Sequence, residues 1–142
     1  MKANKGFTLI EIIVVAAIIG ILTAAAIPLF QDYAAKAQVK RAVAELNAYR
    51  TPIETALANG NNEMSSETIG YTQSNLTTDG YTAAFELDGS GTLQATLGNS
   101  ASPTVQGASI FISRDSSGSW RCTLDTSAAP KWKGLFLPDG CN

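Results

Sequence analysis

One carboxylate at the edge of a long uncharged run constrains this chain more than any other feature. Glu11 directly precedes the 19 residues from Ile12 to Phe30, none of which is charged. As a helix, this run would extend roughly 28 Å, close to the ~30 Å thickness of the hydrocarbon core of a bilayer. A carboxylate in apolar surroundings is costly unless a cation or hydrogen-bond donors pair with it. Glu11 therefore requires a partner, and the chemistry of that partner bears directly on function.

Two ordinary explanations of the apolar run remain open at this point. A secretory signal peptide would use Lys2 and Lys5 as its basic region and residues 24–26, all alanine, as its A-x-A cleavage site. A permanent single-span anchor would hold the same two lysines in the cytoplasm by the positive-inside bias. Neither explanation accounts for a carboxylate at position 11.

The segment around Glu11 resembles the N-terminus of the type IV prepilins. Residues 1–6 are similar to their short basic leader, which ends in glycine. Residues 7–11, with the sequence Phe-Thr-Leu-Ile-Glu, match their processing motif, and residues 12–26 match their apolar helix. The strong resemblance covers residues 1–50, and beyond that it is architectural.

This resemblance implies a specific fate for three residues. A membrane prepilin peptidase would cleave between Gly6 and Phe7 and N-methylate Phe7. Glu11 would then pair with the cationic amino group of Phe7 in a neighbouring subunit while a filament assembles. Such a pair neutralises both charges among apolar helices and fixes the register of one helix against the next.

The resemblance also divides the chain into three segments. Residues 1–6 are the leader, residues 7–30 the hydrophobic transmembrane and assembly helix, and residues 31–142 a globular domain that includes the second half of the helix. The globular domain is expected outside the cytoplasm, where disulfides persist. Cys122 and Cys141 are therefore expected to form one disulfide, with two unrelated buried thiols as the alternative.

Composition argues against catalysis and against a cofactor. The chain has 142 residues, a formal net charge of −2 and no histidine. Histidine is the commonest general base and the commonest metal ligand, and no nucleophile stands beside an evident base. We expect no enzyme activity, no metal and no cofactor.

The helix is predicted to continue from Phe7 to Asn59, where Asn59-Gly60 is a typical stop. Apolar residues recur on one helical face, which is interrupted by Arg50. The residues of that face are Val39, Val43, Leu46, Ile53 and Leu57.

Two prolines and one glycine should disturb this helix. Pro28 and Pro52 each remove a backbone donor and crowd a carbonyl one turn earlier. We expect the helix to loosen between Gly20 and Pro28, an interval that loses helical order in assembled filaments of the family; a simple kink is the alternative. The Thr23 hydroxyl is expected to bond back to the preceding turn.

After a Gly-, Ser-, Thr- and Asn-rich connection over residues 61–80, the pattern changes to a period of two. It predicts one hairpin over residues 81–97 and a second over residues 108–125. Trp120, Cys122 and Leu124 should share one face. The predicted fold is α+β: a long N-terminal helix, hydrophobic in its first half, packed against a four-stranded antiparallel sheet, with a C-terminal disulfide-closed loop.

The leading functional interpretation is a structural subunit of the type IV pilus, of the type IVa major pilin kind, polymerising into a helical filament. The resemblance implies adhesion, twitching motility and DNA uptake for the pilus. It also implies several partners: other copies of the chain, the prepilin peptidase and N-methyltransferase, the inner-membrane assembly machinery, the membrane itself before assembly, and DNA or a host surface. The subunit would pass from the inner membrane to an extracellular pilus of a Gram-negative bacterium.

Other interpretations remain open. A minor pilin or a type II secretion pseudopilin would share the N-terminal motif, although the two cysteines favour a pilin. A membrane-tethered adhesin or DNA-binding module would need a basic patch, for which the candidates are Lys131, Lys133, Arg121 and Arg114. Trp132 is interpreted as the apolar anchor of the last loop.

Overall fold

The computed structural model describes residues 6–142, so the leader lysines Lys2 and Lys5 lie outside the described residues. The chain divides into two compact units, one ending at Tyr33 and the other running from Ala34 to Asn142. The elements are three helices, α1 (Leu9–Asn47), α2 (Arg50–Ala58) and α3 (Ser66–Ile69), four strands, β1 (Thr82–Phe85), β2 (Gly91–Thr96), β3 (Ser109–Arg114) and β4 (Trp120–Asp125), and a 3-10 helix over Gly134–Phe136.

The first unit exposes its apolar side chains. Phe7 is 82% exposed and Phe30 is 71% exposed, and the large apolar residues between them are exposed as well. Among the described residues, the helix that begins at Leu9 is the one that is long and apolar enough to cross a membrane. Contiguous apolar surface of this size marks a site of contact with lipid or with another protein.

The helix is unbroken through the interval where loosening is expected. Gly20 and Pro28 both lie inside α1. The Thr23 hydroxyl donates to the carbonyl oxygen of Ile19 at 2.7 Å, which confirms the expected back-bond. Loss of helical order in an assembled filament stays a prediction.

The second unit buries the predicted helical face except at Leu57, which is only partly buried. Val39, Leu46 and Ile53 are each at most 3% exposed, and small residues between them complete the stripe. The helix does not run unbroken to Asn59, because α1 ends at Asn47 and α2 begins at Arg50. Pro52 has no N–H to donate to the carbonyl of Ala48, which explains an interruption at this point. The second helix ends at Ala58, close to the predicted stop.

The four strands form one antiparallel sheet in the order β1-β2-β3-β4. Register places Ala83, Leu93, Ile112 and Cys122 side by side across the sheet, and three of these four residues are buried. This face shares one core with the buried stripe of α1 and α2. The predicted fold class and both hairpins are therefore confirmed.

The opposite face of the sheet carries mostly polar residues, together with Phe111 on β3. The hydroxyls of Thr92 and Ser113 lie 3.0 Å apart, and those of Thr96 and Ser109 lie 2.9 Å apart. Each pair joins β2 to β3, so the outer face carries cross-strand hydrogen bonds where the inner face carries apolar contacts.

The connection over residues 61–80 is more ordered than its composition indicates. It contains α3, whose cap residue Ser65 accepts a hydrogen bond from the Thr68 N–H at 3.2 Å. Tyr71 stacks between two other tyrosines, at centroid distances of 5.3 Å to Tyr49 and 4.1 Å to Tyr81. Burial raises the pKa of Tyr71. These rings hold the connection against the turn between α1 and α2, where Tyr49 lies, and against Tyr81, which directly precedes β1.

The last loop closes as predicted. Cys122 and Cys141 form a disulfide. Trp132 packs edge-on against Phe136 at 5.7 Å, and Phe136 is fully buried, which confirms Trp132 as an apolar anchor.

A charged network joins α2 to the sheet. Glu54 accepts hydrogen bonds from Arg114 Nε at 2.7 Å and from the Trp120 indole N–H at 2.8 Å. Arg50, which interrupts the apolar face in the sequence, places its guanidinium 5.4 Å from the centre of the Trp120 ring. The hydrogen bonds from Arg114, together with the attraction of its charge, hold the pKa of Glu54 below its ordinary value.

We predict that Glu54→Gln destabilises the domain more at neutral pH than in acid. A depressed folded pKa contributes stability above the unfolded value of about 4.3, and that contribution is lost as the pH falls through the folded value. Because the carboxylate is partly exposed, we expect a loss of only about 1 kcal/mol at pH 7. Urea unfolding of the full chain in detergent micelles at pH 7 and at pH 3 measures the difference, with Glu63→Gln as the control. An equal loss at both pH values would contradict the prediction.

Candidate assembly site at the start of the first helix

The start of α1 holds the Glu11 carboxylate in a reciprocal capping arrangement. The backbone N–H and the hydroxyl of Thr8 both donate to Glu11 Oε2, at 2.8 and 2.7 Å. In return the Glu11 N–H donates to Thr8 Oγ1 at 3.4 Å. This is the capping box, with threonine at the N-cap and glutamate three residues later. The negative charge also lies at the positive end of the helix dipole.

Only one of the two carboxylate oxygens is used in this arrangement. Glu11 Oε1 accepts no hydrogen bond from the residues that the structure describes, and the side chain is exposed. A carboxylate has lone pairs on both oxygens, so Glu11 can accept an ammonium or another donor without releasing Thr8. Chemically, the helix start offers an oriented anion at the edge of an apolar surface.

The residues of the expected cleavage site precede this anion. Gly6 and Phe7 are both exposed and precede the first turn of α1. A Cβ atom added at Gly6 would meet no atom of the described residues within 4 Å, its two chain neighbours apart. The chain itself therefore does not require glycine at position 6.

Thr8 is the residue of this arrangement to which the sequence analysis assigned no role of its own. The signal was present in the sequence, because Thr8 and Glu11 have the spacing of a capping box immediately before an apolar run. Of the other predicted site residues, Gly20 and Pro28 belong to α1, and Cys122 and Cys141 belong to the second unit.

The candidate basic patch is smaller than expected. Arg114 donates to Glu54 and, through Nη1, to the carbonyl oxygens of Gly89 at 2.9 Å and Asp115 at 3.1 Å. Its side chain is 15% exposed, so it does not belong to a surface patch. Arg121, Lys131 and Lys133 are exposed.

No group of three or more histidine, cysteine, aspartate or glutamate side chains within residues 6–142 is placed to hold a metal ion.

Comparison with known proteins gives matches to both units. Residues 1–27 match the model of the prokaryotic N-terminal methylation motif. Residues 35–142 match the model of pilin, described as a bacterial filament protein.

Individual relatives agree with these matches along the chain. Fimbrial protein Q of Moraxella bovis is 46% identical, with 99% of both chains covered. The type IV major alpha-pilin of Moraxella bovis is 42% identical over 99% of this chain and 98% of its own length. A fimbrial protein of Pseudomonas aeruginosa is 46% identical over 80% of both chains. This chain belongs to the pilin family, and it is a structural subunit of a pilus rather than an enzyme.

Proposed function

We propose that this chain is a type IV major pilin that is cleaved between Gly6 and Phe7, methylated on Phe7, and assembled into a helical filament by pairing Glu11 with the Phe7 amino group of a neighbouring copy. The observation that carries the proposal is the exposed apolar helix that begins beside an oriented carboxylate. The match to the N-terminal methylation motif over residues 1–27 supports the processing step.

Cleavage supplies the cation that the carboxylate lacks. Before cleavage the nitrogen of Phe7 belongs to an uncharged amide, and afterwards it is an ammonium at neutral pH. Two opposite charges among apolar helices neutralise each other, whereas either alone would be costly. Glu11 Oε1 is the atom that this ammonium would approach, since Oε2 is already bound to Thr8.

The same contact repeated in one direction produces a fibre. The amino group of one copy meets the carboxylate of another copy, so the contact is heterologous: it joins two different surface groups. A heterologous contact produces an open helical fibre when the rotation from one copy to the next does not close a ring. Alanines and glycine along α1, such as Ala16, Ala17 and Gly20, allow helices to approach closely. The subunit would be stored in the inner membrane of a Gram-negative bacterium and displayed outside as the pilus.

We predict that processing depends on Gly6 while folding does not. Because position 6 has open space around it, Gly6→Val should leave the domain folded and should block cleavage by the peptidase. Intact mass and N-terminal analysis of membrane-derived protein should give a start at Phe7 with one added methyl group for the parent chain. The variant should retain residues 1–6. A parent chain that starts at Ile27 would mean ordinary secretion and would contradict the proposal.

We predict that assembly depends on the Glu11 charge and, more weakly, on the Thr8 hydroxyl. Glu11→Ala should abolish fibres on cells, because no partner then neutralises the amino group. Thr8→Val keeps the backbone donor to Glu11 and loses the hydroxyl, which donates to Glu11 Oε2 and accepts from the Glu11 N–H. Fibre yield should therefore fall part of the way.

Fibre yield is measured by quantifying pilin in sheared filaments against total pilin, with Glu67→Gln as a control at an exposed glutamate of the second unit. Abundant fibres of normal length from Glu11→Ala cells would refute the charge pairing. A chain that forms most of the sheared material is a major pilin, whereas a trace component is a minor one.

The proposal extends to the uses of the pilus. Adhesion, twitching motility and DNA uptake should all be lost in Glu11→Ala cells if the assembled filament performs them. Attachment to surfaces, spreading under agar and transformation with duplex DNA, compared between parent and variant cells, measure the three activities separately.

A further inference from the structure

One edge of the sheet is occupied by the last loop. The Asn142 N–H donates to the carbonyl oxygen of Cys122 at 3.1 Å, and the Leu124 N–H donates to the carbonyl oxygen of Asn142 at 2.8 Å. Cys141 forms a parallel bridge with Cys122 as well as the disulfide. We call residues 141–142 the strap. It pairs with the middle of β4, on the side away from β3.

Without the strap, β4 would be an open edge strand. Its backbone groups at Cys122 and Leu124 point outward, since these are the groups that the strap binds. The strand has six residues and includes a tryptophan and a β-branched threonine. Unpaired edges of this kind recruit strands from other chains.

The edge is complementary to itself. If two copies pair in antiparallel fashion with Thr123 of each copy at the two-fold axis, Cys122 of one copy faces Leu124 of the other. These residues carry the outward N–H and C=O groups, so they form the hydrogen-bonded pair that an antiparallel ladder needs. The same register places Arg121 opposite Asp125 twice, and both side chains are exposed on the outer face. Opposite charges at facing positions favour the pairing.

We propose that the strap is a lock on a latent self-association edge. While the disulfide holds residues 141–142 against β4, the edge is closed. In the newly made chain, before oxidation joins Cys122 to Cys141, a second copy of this chain pairs with the open edge through residues 121–125. This contact is separate from the Glu11 contact of the filament. It pairs two copies around a two-fold axis, and it uses the sheet instead of the helix.

The test compares the full chain with the variant Cys122→Ala/Cys141→Ser in the same detergent micelles by sedimentation. Association through the apolar helix is common to both proteins and therefore cancels in the comparison. We expect the variant to show a protein mass about twice that of the oxidised parent. A folded variant that sediments like the parent would overturn the proposal.

Charge reversal identifies the surface. Adding Arg121→Asp to the cysteine variant places two carboxylates opposite each other at both ends of the pairing, so the dimer should be lost. Adding Asp125→Arg as well restores opposite charges and should restore the dimer. A dimer that survives Arg121→Asp, or one that the second reversal does not restore, uses another surface and refutes the proposed register.

A second measurement covers the case in which the cysteine variant does not fold. Truncation after Cys141 keeps the disulfide and removes both backbone bonds of Asn142, whereas Asn142→Ala keeps them. Amide hydrogen exchange at Leu124 should be about tenfold faster in the truncated chain than in Asn142→Ala, since a hydrogen bond to the edge is lost. Equal exchange rates would show that the strap does not close this edge and would overturn the proposal.

Discussion

The apolar surface of residues 7–30 is the constraint on which everything else depends. Its large side chains remain exposed, and free energy falls only when lipid or other protein covers them. In a hydrocarbon environment, the carboxylate of Glu11 at the edge of this surface has a high desolvation free energy. Thr8 reduces that cost before assembly by donating two hydrogen bonds to one oxygen of Glu11. A cation that pairs with Glu11 would remove the remaining desolvation cost of the carboxylate. The carboxylate therefore favours a contact that brings a cation beside it.

In the second unit, the helices and the sheet are held together by a shared core and by a charged network at one end of it. Apolar residues of α1 and α2 fill the inner face of the sheet, and the network of Glu54, Arg114 and Trp120 fastens the end of that interface. The interruption between Asn47 and Arg50 separates the helix into two pieces that both contribute to this core. Pro52 stands in the first turn of α2, where a missing N–H costs little. The proline therefore interrupts the helix at a position where its own missing N–H costs little.

Much of this architecture could be predicted from the sequence because its signals are local. The alternation of apolar and polar residues with a period of two predicts both hairpins, and the apolar stripe from Val39 to Ile53 predicts the buried face of the helix. The motif over residues 7–11 indicates the family. Features that depend on distant partners could not be found in this way. Glu54 and Arg114, which pair in the structure, are 60 residues apart in the sequence. Helix α3 has only four residues, and the connection that contains it is held in place by contacts between tyrosine rings. The strap likewise depends on the position of β4. Thr8 differs from these features, because its capping signal, a threonine three residues before Glu11, is local in the sequence.

The paired hydroxyls on the outer face have a consequence for evolution of the surface. Thr92 with Ser113, and Thr96 with Ser109, satisfy one another's hydrogen-bonding needs while the inward residues of the same strands define the core. Outward positions along β2 and β3 can thus be exchanged in pairs without disturbing what lies beneath. The sequence of this outer face can therefore drift while the packing beneath it stays the same.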